Sequence, residues 1–97
     1  MVKRKKIEII IESVYLNRLI DFFNKNDVIG YTVIKDIQGS GGHGLKLNDD
    51  ITDVFTNNYV FVVFEEEKLN EISESLISFL RRYGAKCILT DIMWLSY

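Results

Sequence analysis

Apolar positions along this chain change period repeatedly, and each change marks an element. From Ile7 to Glu12 they alternate, with Ile7, Ile9 and Ile11 on one side and Glu8, Ile10 and Glu12 on the other, which predicts a β-branched strand. From Tyr15 to Lys25 the set Leu16, Leu19, Ile20 and Phe23 has helical spacing, with Asn24, Asn26 and Asp27 as terminators. Gly30 opens a second strand over Tyr31 to Gln38, and Asn58 to Phe64 is the clearest strand, with valines set between aromatics. Leu69, Ile72, Leu76, Phe79, Leu80 and Tyr83 then step at three and four residues. They predict a long helix with Glu65 to Glu67 at its start and Arg81 and Arg82 near its end, where the helix dipole favours each charge. Gly84 suits the position just past that helix, and Ala85 to Leu95 forms a last apolar strand. The order β-α-β-β-α-β predicts an α+β, ferredoxin-like fold, an antiparallel sheet with two helices on one face, built from residues 1–97 as a single domain.

Two helices cover one side of such a sheet, yet the third strand is apolar on both. It offers Tyr59, Phe61 and Val63 on one side and Val60, Val62 and Phe64 on the other, while Ile10 and Ile88 oppose the other apolar residues of their strands. Each Val, Ile or Phe left in water forgoes about 1.5 to 3 kcal/mol of burial. The expected resolution is a homo-oligomer closed through the helix-free face with cyclic symmetry. The rival for that face is single-stranded RNA, because in RNA-recognition motifs of the same topology the third strand carries base-stacking aromatics, and Tyr59, Phe61 and Phe64 match their spacing. That match is partial. Asn57-Asn58 stands where the motif has a basic residue and glycine, Val60 replaces its small middle residue, and the first strand lacks the partner aromatic.

Composition narrows the field. The 97 residues carry 12 basic and 14 acidic side chains, a formal charge of -2, so long-range attraction to phosphate backbones is weak and no nucleic-acid partner is expected. The basic run Lys3, Arg4, Lys5 and Lys6 reads as the solvated end of the first strand. No apolar run is long enough for a signal peptide or membrane span, and the single cysteine, Cys87, makes no internal disulfide, so the expected location is cytoplasmic without membrane insertion.

The stretch GSGGHG, residues 39–44, opens a connection reaching Thr56 that is far longer than a hairpin needs. Its glycines let the backbone approach a bound group closely, and turn N–H groups of this kind hold phosphate, but the Gly-Lys-Ser/Thr ending of a Walker loop is absent. One histidine, His43, and one distant cysteine make no zinc site, and no metal is expected. No partner that would activate a nucleophile is visible. The IQGSGG segment is similar to a turn of acylphosphatases, but it follows the second strand rather than the first and their catalytic arginine is lacking, so the chain is read as a non-enzyme.

The topology, the GYTV opening of the second strand, the pair Gly39 and Gly41, the long return to the third strand and the Gly-x-Lys step from Gly84 to Lys86 together resemble the PII signalling superfamily, particularly its shorter PII-like members. The resemblance implies a homotrimer with sheets facing inward, adenine nucleotides bound in the clefts between subunits as effectors rather than obligatory cofactors, and a T-loop, about residues 39–56, presented to a partner protein. It implies nucleotide-binding roles for Thr32 near the adenine, Gly39 and Gly41 at the loop base, and Lys86 facing phosphate, with Gly42, His43, Gly44 and Lys46 in the partner-facing loop. The partner implied is a transporter or an enzyme of carbon or nitrogen metabolism. Departures are also visible. One residue more separates Thr32 from Gly39 than in longer members, the TGKIGDGK loop survives only as the GAK step, and the chain ends at Tyr97 without the Arg-x-Arg tail. The implied effectors are therefore AMP, ADP, ATP or cyclic AMP, bicarbonate or another small anion, rather than the ATP and 2-oxoglutarate pair, and a relative that has lost nucleotide binding is the alternative.

Overall fold

In the computed structural model, which describes residues 1–38 and 56–97, the split alternation of periods becomes β1 (Val2–Glu12), a short 3-10 turn (Ser13–Tyr15), α1 (Leu16–Lys25), β2 (Thr32–Ile37), β3 (Asn57–Phe64), α2 (Glu66–Tyr83) and β4 (Lys86–Trp94). The strands pair antiparallel in the order β2-β3-β1-β4, so β1 and β3 are central and β2 and β4 form the edges. This is the expected ferredoxin-like α+β architecture. Ile7, Ile9 and Ile11 face Val62, Val60 and Asn58 across the central pair, and this row is buried beneath Leu16, Leu19 and Phe23 of α1 and Leu69, Ile72, Leu76 and Phe79 of α2. Among the described residues no helix is long and apolar enough to cross a membrane.

Both helices end in the same way from different residues. Gly84, at φ 65°, closes α2 with the Ala85 N–H donating to the Leu80 carbonyl at 3.1 Å, as its sequence position predicts. At the end of α1 the left-handed residue is Asp27, φ 56°, and the Val28 N–H donates to the Phe23 carbonyl at 2.8 Å, which drops Val28 into the core. Asp27 adopts this conformation because short polar side chains tolerate it.

The first strand is longer than its alternation indicates. The run from Lys3 to Lys6 is the start of that strand, with Lys3 exposed and Arg4, Lys5 and Lys6 half-buried: it pairs with β4 throughout, and Lys5 and Lys6 also pair with Phe64 and Val63 of β3. Ladder pairing on both sides overrides weak strand propensity here, and long basic side chains can lay their aliphatic stems along a sheet. The Lys5 ammonium donates to the Asp91 carboxylate across to β4 at 2.5 Å, which raises the lysine above its ordinary pKa and lowers the aspartate below its own.

One irregularity lies at the exit of β2. Ile34 pairs with Tyr59 and Ile37 with Asn57, so Lys35 and Asp36 together stand opposite the single residue Asn58, a β-bulge. Asp36 takes φ 58°, and its N–H donates to the Asn58 side-chain oxygen at 3.1 Å. Asn58 is only 2% exposed, a polar residue in the otherwise apolar buried row of β3. Replacing it by alanine removes the acceptor that ties the bulge down, and a buried group left without its partner costs about 1 to 2 kcal/mol. Asn58→Ala should therefore lower the chemical-denaturation midpoint by the corresponding amount; an unchanged midpoint would mean that the bulge holds its shape without this bond.

Candidate functional site

Strand register fixes what the helix-free face presents, because directly opposed residues of an antiparallel pair point to the same side. One cross-strand row runs Ile34, Tyr59, Ile10, Lys86 and the next runs Thr32, Phe61, Glu8, Ile88. The centre of this face is half-buried Tyr59, Phe61, Val63 and Ile10, while Ile34 and Ile88 at its edges are 51% and 60% exposed. A contiguous apolar surface therefore lies on the side the helices leave uncovered.

A small polar network crosses that surface. The Tyr59 hydroxyl donates to the Glu8 carboxylate at 2.6 Å, the Lys6 ammonium stands 3.9 Å from the same carboxylate oxygen, and it also lies 4.9 Å from the centre of the Phe61 ring. Glu8 thus sits among partners in the apolar centre, and the bond it accepts holds the Tyr59 phenol above its ordinary pKa of 10.0, with desolvation and the carboxylate charge adding in the same direction. Sequence reasoning did not find this network. Its signal was available, since Lys6 and Glu8 share the parity of Ile10, but only the register brings Tyr59 opposite Ile10 and Phe61 opposite Glu8.

Of the residues the sequence singled out, Thr32 and Lys86 are described and exposed. Both face the helix-free side, Thr32 as the first residue of edge strand β2 and Lys86 as the first residue of edge strand β4. Three inter-strand spacings separate them, roughly 14 Å, with an added offset of roughly 7 Å along the strands. A single chain does not bring them together. Gly39, Gly41, Gly42, His43, Gly44 and Lys46 lie outside the described residues. Two cavities, a depression bordered by Lys3, Lys5, Glu66 and Asp91 and a groove between the helices, contain neither Thr32 nor Lys86.

The stacking platform of three aromatics does not exist. Tyr59 and Phe61 share the helix-free face, but Phe64 points to the helix side and is 5% exposed within the core. Its parity differs from theirs by one residue, and alternation of side chains sends it through the sheet. Cys87 is half-buried against the core, where desolvation foremost and the charge of Glu8 second push its thiol above the ordinary value, the direction that suppresses a reactive thiolate. Among the described residues no three His, Cys, Asp or Glu side chains gather as metal ligands would.

The family model for nitrogen regulatory protein P-II matches residues 4–95, and the chain belongs to this family. Among solved structures it is similar to CPII, a nitrogen regulatory PII-like protein from Thiomonas intermedia K12, in a complex with ADP, AMP and bicarbonate. That match has a TM-score of 0.77 at 22% identity and covers 98% of this chain and 96% of that chain. The apo form of CPII matches with a TM-score of 0.69 at 23% identity, covering 93% and 89%. The GlnK-ATP complex of B. subtilis is also similar, with a TM-score of 0.59 at 17% identity, covering 95% of this chain and 84% of that one. At these identities the structural likeness establishes the fold. No curated protein matches the sequence.

The Tyr59–Glu8 bond has a consequence for alkaline titration. A phenol whose folded pKa is raised contributes stability that is present below its unfolded value and lost as pH rises through the folded value. Of the five tyrosines, Tyr59 should ionise late in an ultraviolet titration, and Tyr59→Phe should delete that late step. A wild-type curve from which the substitution removes an ordinary early step would overturn the assignment.

Proposed function

We propose that this chain is a non-enzymatic, single-domain regulator that assembles as a homotrimer through its helix-free face, takes an adenine nucleotide in the clefts between copies, and presents the loop at about residues 39–56 to a partner protein, a transporter or metabolic enzyme. The observation that carries the reading is the position of Thr32 and Lys86. Both are exposed on the apolar face but on opposite edges of it, with Tyr59, Phe61 and Ile10 between them. Burying that centre against other copies sets the β2 edge of one chain beside the β4 edge of another and makes a concave site where a lone chain has a broad face. The CPII complex with ADP, AMP and bicarbonate and the GlnK-ATP complex support an adenine nucleotide, with or without a small anion, as the effector class.

In this reading Thr32, Gly39 and Gly41 form the adenine side of the cleft, and Lys86 of a neighbouring copy supplies the positive charge for phosphate. Lys86 suits that task because an exposed ammonium at a strand start pays little desolvation before it meets an anion. Gly42, His43, Gly44 and Lys46 belong to the partner-facing segment. A ligand held at residues 39 and 41 contacts the base of the loop only when bound, and such a difference in contact is what shifts a conformational equilibrium.

Light scattering on a diluted sample should return the trimer mass, and calorimetric titration with AMP, ADP, ATP and cyclic AMP, each with and without bicarbonate, should identify a binder. Lys86→Ala should weaken the phosphate-bearing ligand by about tenfold or more, the loss of one charge-assisted bond, without changing the mass. A well-folded monomer, or an affinity indifferent to Lys86→Ala, would sink the proposal.

A further inference from the structure

On the other side of the sheet, α1 and α2 leave an open groove between them. Arg18, Phe22 and Lys25 line it from α1, and Ser78, Phe79 and Arg82 from α2. Its volume is about 600 Å³, within the range of roughly 300 to 1,000 Å³ typical of ligand clefts. The gap exists because the α2 wall carries serine at positions 75 and 78, where longer side chains would fill it. The floor is an aromatic row: ring centres of Phe22 and Phe79 lie 5.3 Å apart and those of Phe79 and Tyr83 4.7 Å, and Tyr83 in turn packs on Tyr15 outside the groove at 4.9 Å.

The rim is cationic on a chain whose net charge is -2. Arg18, Lys25 and Arg82 are exposed, none has an ion-pair partner among the described residues, and Asp21 is the one acid in the lining. Arg82 is held with its guanidinium carbon 5.5 Å from the centre of the Tyr83 ring, which fixes one positive group at the edge of the floor. From Arg18 to Lys25 the α1 wall spans roughly 10 Å, the reach of about three residues of extended peptide.

We propose that this groove docks a short acidic segment of a partner protein that carries one aromatic or large aliphatic side chain. The apolar side chain rests on Phe22, Phe79 and Tyr83 in the gap above the serines, and flanking carboxylates meet Arg18, Lys25 and Arg82. Charge complementarity selects this occupant: a basic segment would face three like charges, and an apolar one would leave the cations without counter-charge. The groove lies on the helix side, away from the edges that carry Thr32 and Lys86, so it remains open when copies associate through the apolar face. It gives a partner a second contact, independent of the loop and of nucleotide.

The test uses the full-length, isotope-labelled protein and a pool of acidic hexapeptides with one phenylalanine at varied positions, read by amide chemical shifts. Shifts should concentrate on the facing sides of α1 and α2, and affinity should fall several-fold as salt rises from about 50 to 300 mM. The paired variants Arg18→Glu with Arg82→Glu should weaken binding by more than about tenfold, and Ser78→Trp, which fills the gap with the cations retained, should do the same. Light scattering and nucleotide titration on these variants should match wild type, which separates failure here from failure of the trimer and nucleotide reading. If no acidic peptide outperforms its Phe→Ser or Lys-substituted counterpart at about millimolar concentration, if binding survives both sets of substitutions, or if ADP shifts the same residues more strongly than the peptides, the proposal is overturned.

Discussion

The structure turns on a sheet that is apolar on both faces while its helices cover one. The helix side is resolved within the chain, where the alternate isoleucines of β1 and valines of β3 reach near-zero exposure beneath seven aliphatic and aromatic side chains of the helices. The opposite parity also carries apolar side chains, Ile10, Ile34, Tyr59, Phe61, Val63 and Ile88, and no helix covers it. Each of these side chains forgoes part of the about 1.5 to 3 kcal/mol that full burial would contribute. Two of the exposed functional candidates, Thr32 and Lys86, lie at the edges of that uncovered face.

Polar groups enter this sheet only where geometry accommodates them. Glu8 lies in the apolar centre with the Tyr59 hydroxyl bonded to it and Lys6 at hand, so its charge is answered within the face. Asn58 lies in the buried row, where its side-chain oxygen takes up the backbone N–H that the β2 bulge turns inward. The bulge adds one residue to β2 after Ile34. It leaves Thr32 in register with Phe61 and re-phases the strand after Ile34.

The two sides of the molecule differ in chemical character. The helix-free side is broad and largely apolar, with the Glu8–Lys6 pair at its centre and Lys86 at one edge, which suits association with copies of itself and enclosure of a ligand where edges meet. The helix side carries small hydroxyl residues, stacked rings and a cationic rim, a combination suited to a peptide of opposite charge. Fold membership alone distinguishes neither role, since many functions share this topology.

Periodicity in the sequence determined the order and type of the elements, the glycine end of α2 and the two-sided apolar character of β3, because these depend on local spacing and on residue types that act through their own backbone; short motifs then carried the resemblance to the PII family. The parity that separates Phe64 from Tyr59 and Phe61 was also written there, although spacing to a different motif obscured it. Tertiary structure alone decided the rest. The basic run of β1 became strand because β4 and β3 pair with it, Asp27 took a left-handed turn because Val28 had a core to enter, and Asn58 met Asp36 across a bulge that no linear pattern marks. Thr32 and Lys86 were candidates singled out one by one, but that they share a face and stand at opposite edges is a property of strand order. Strand order is set by long-range pairing, which local sequence does not encode.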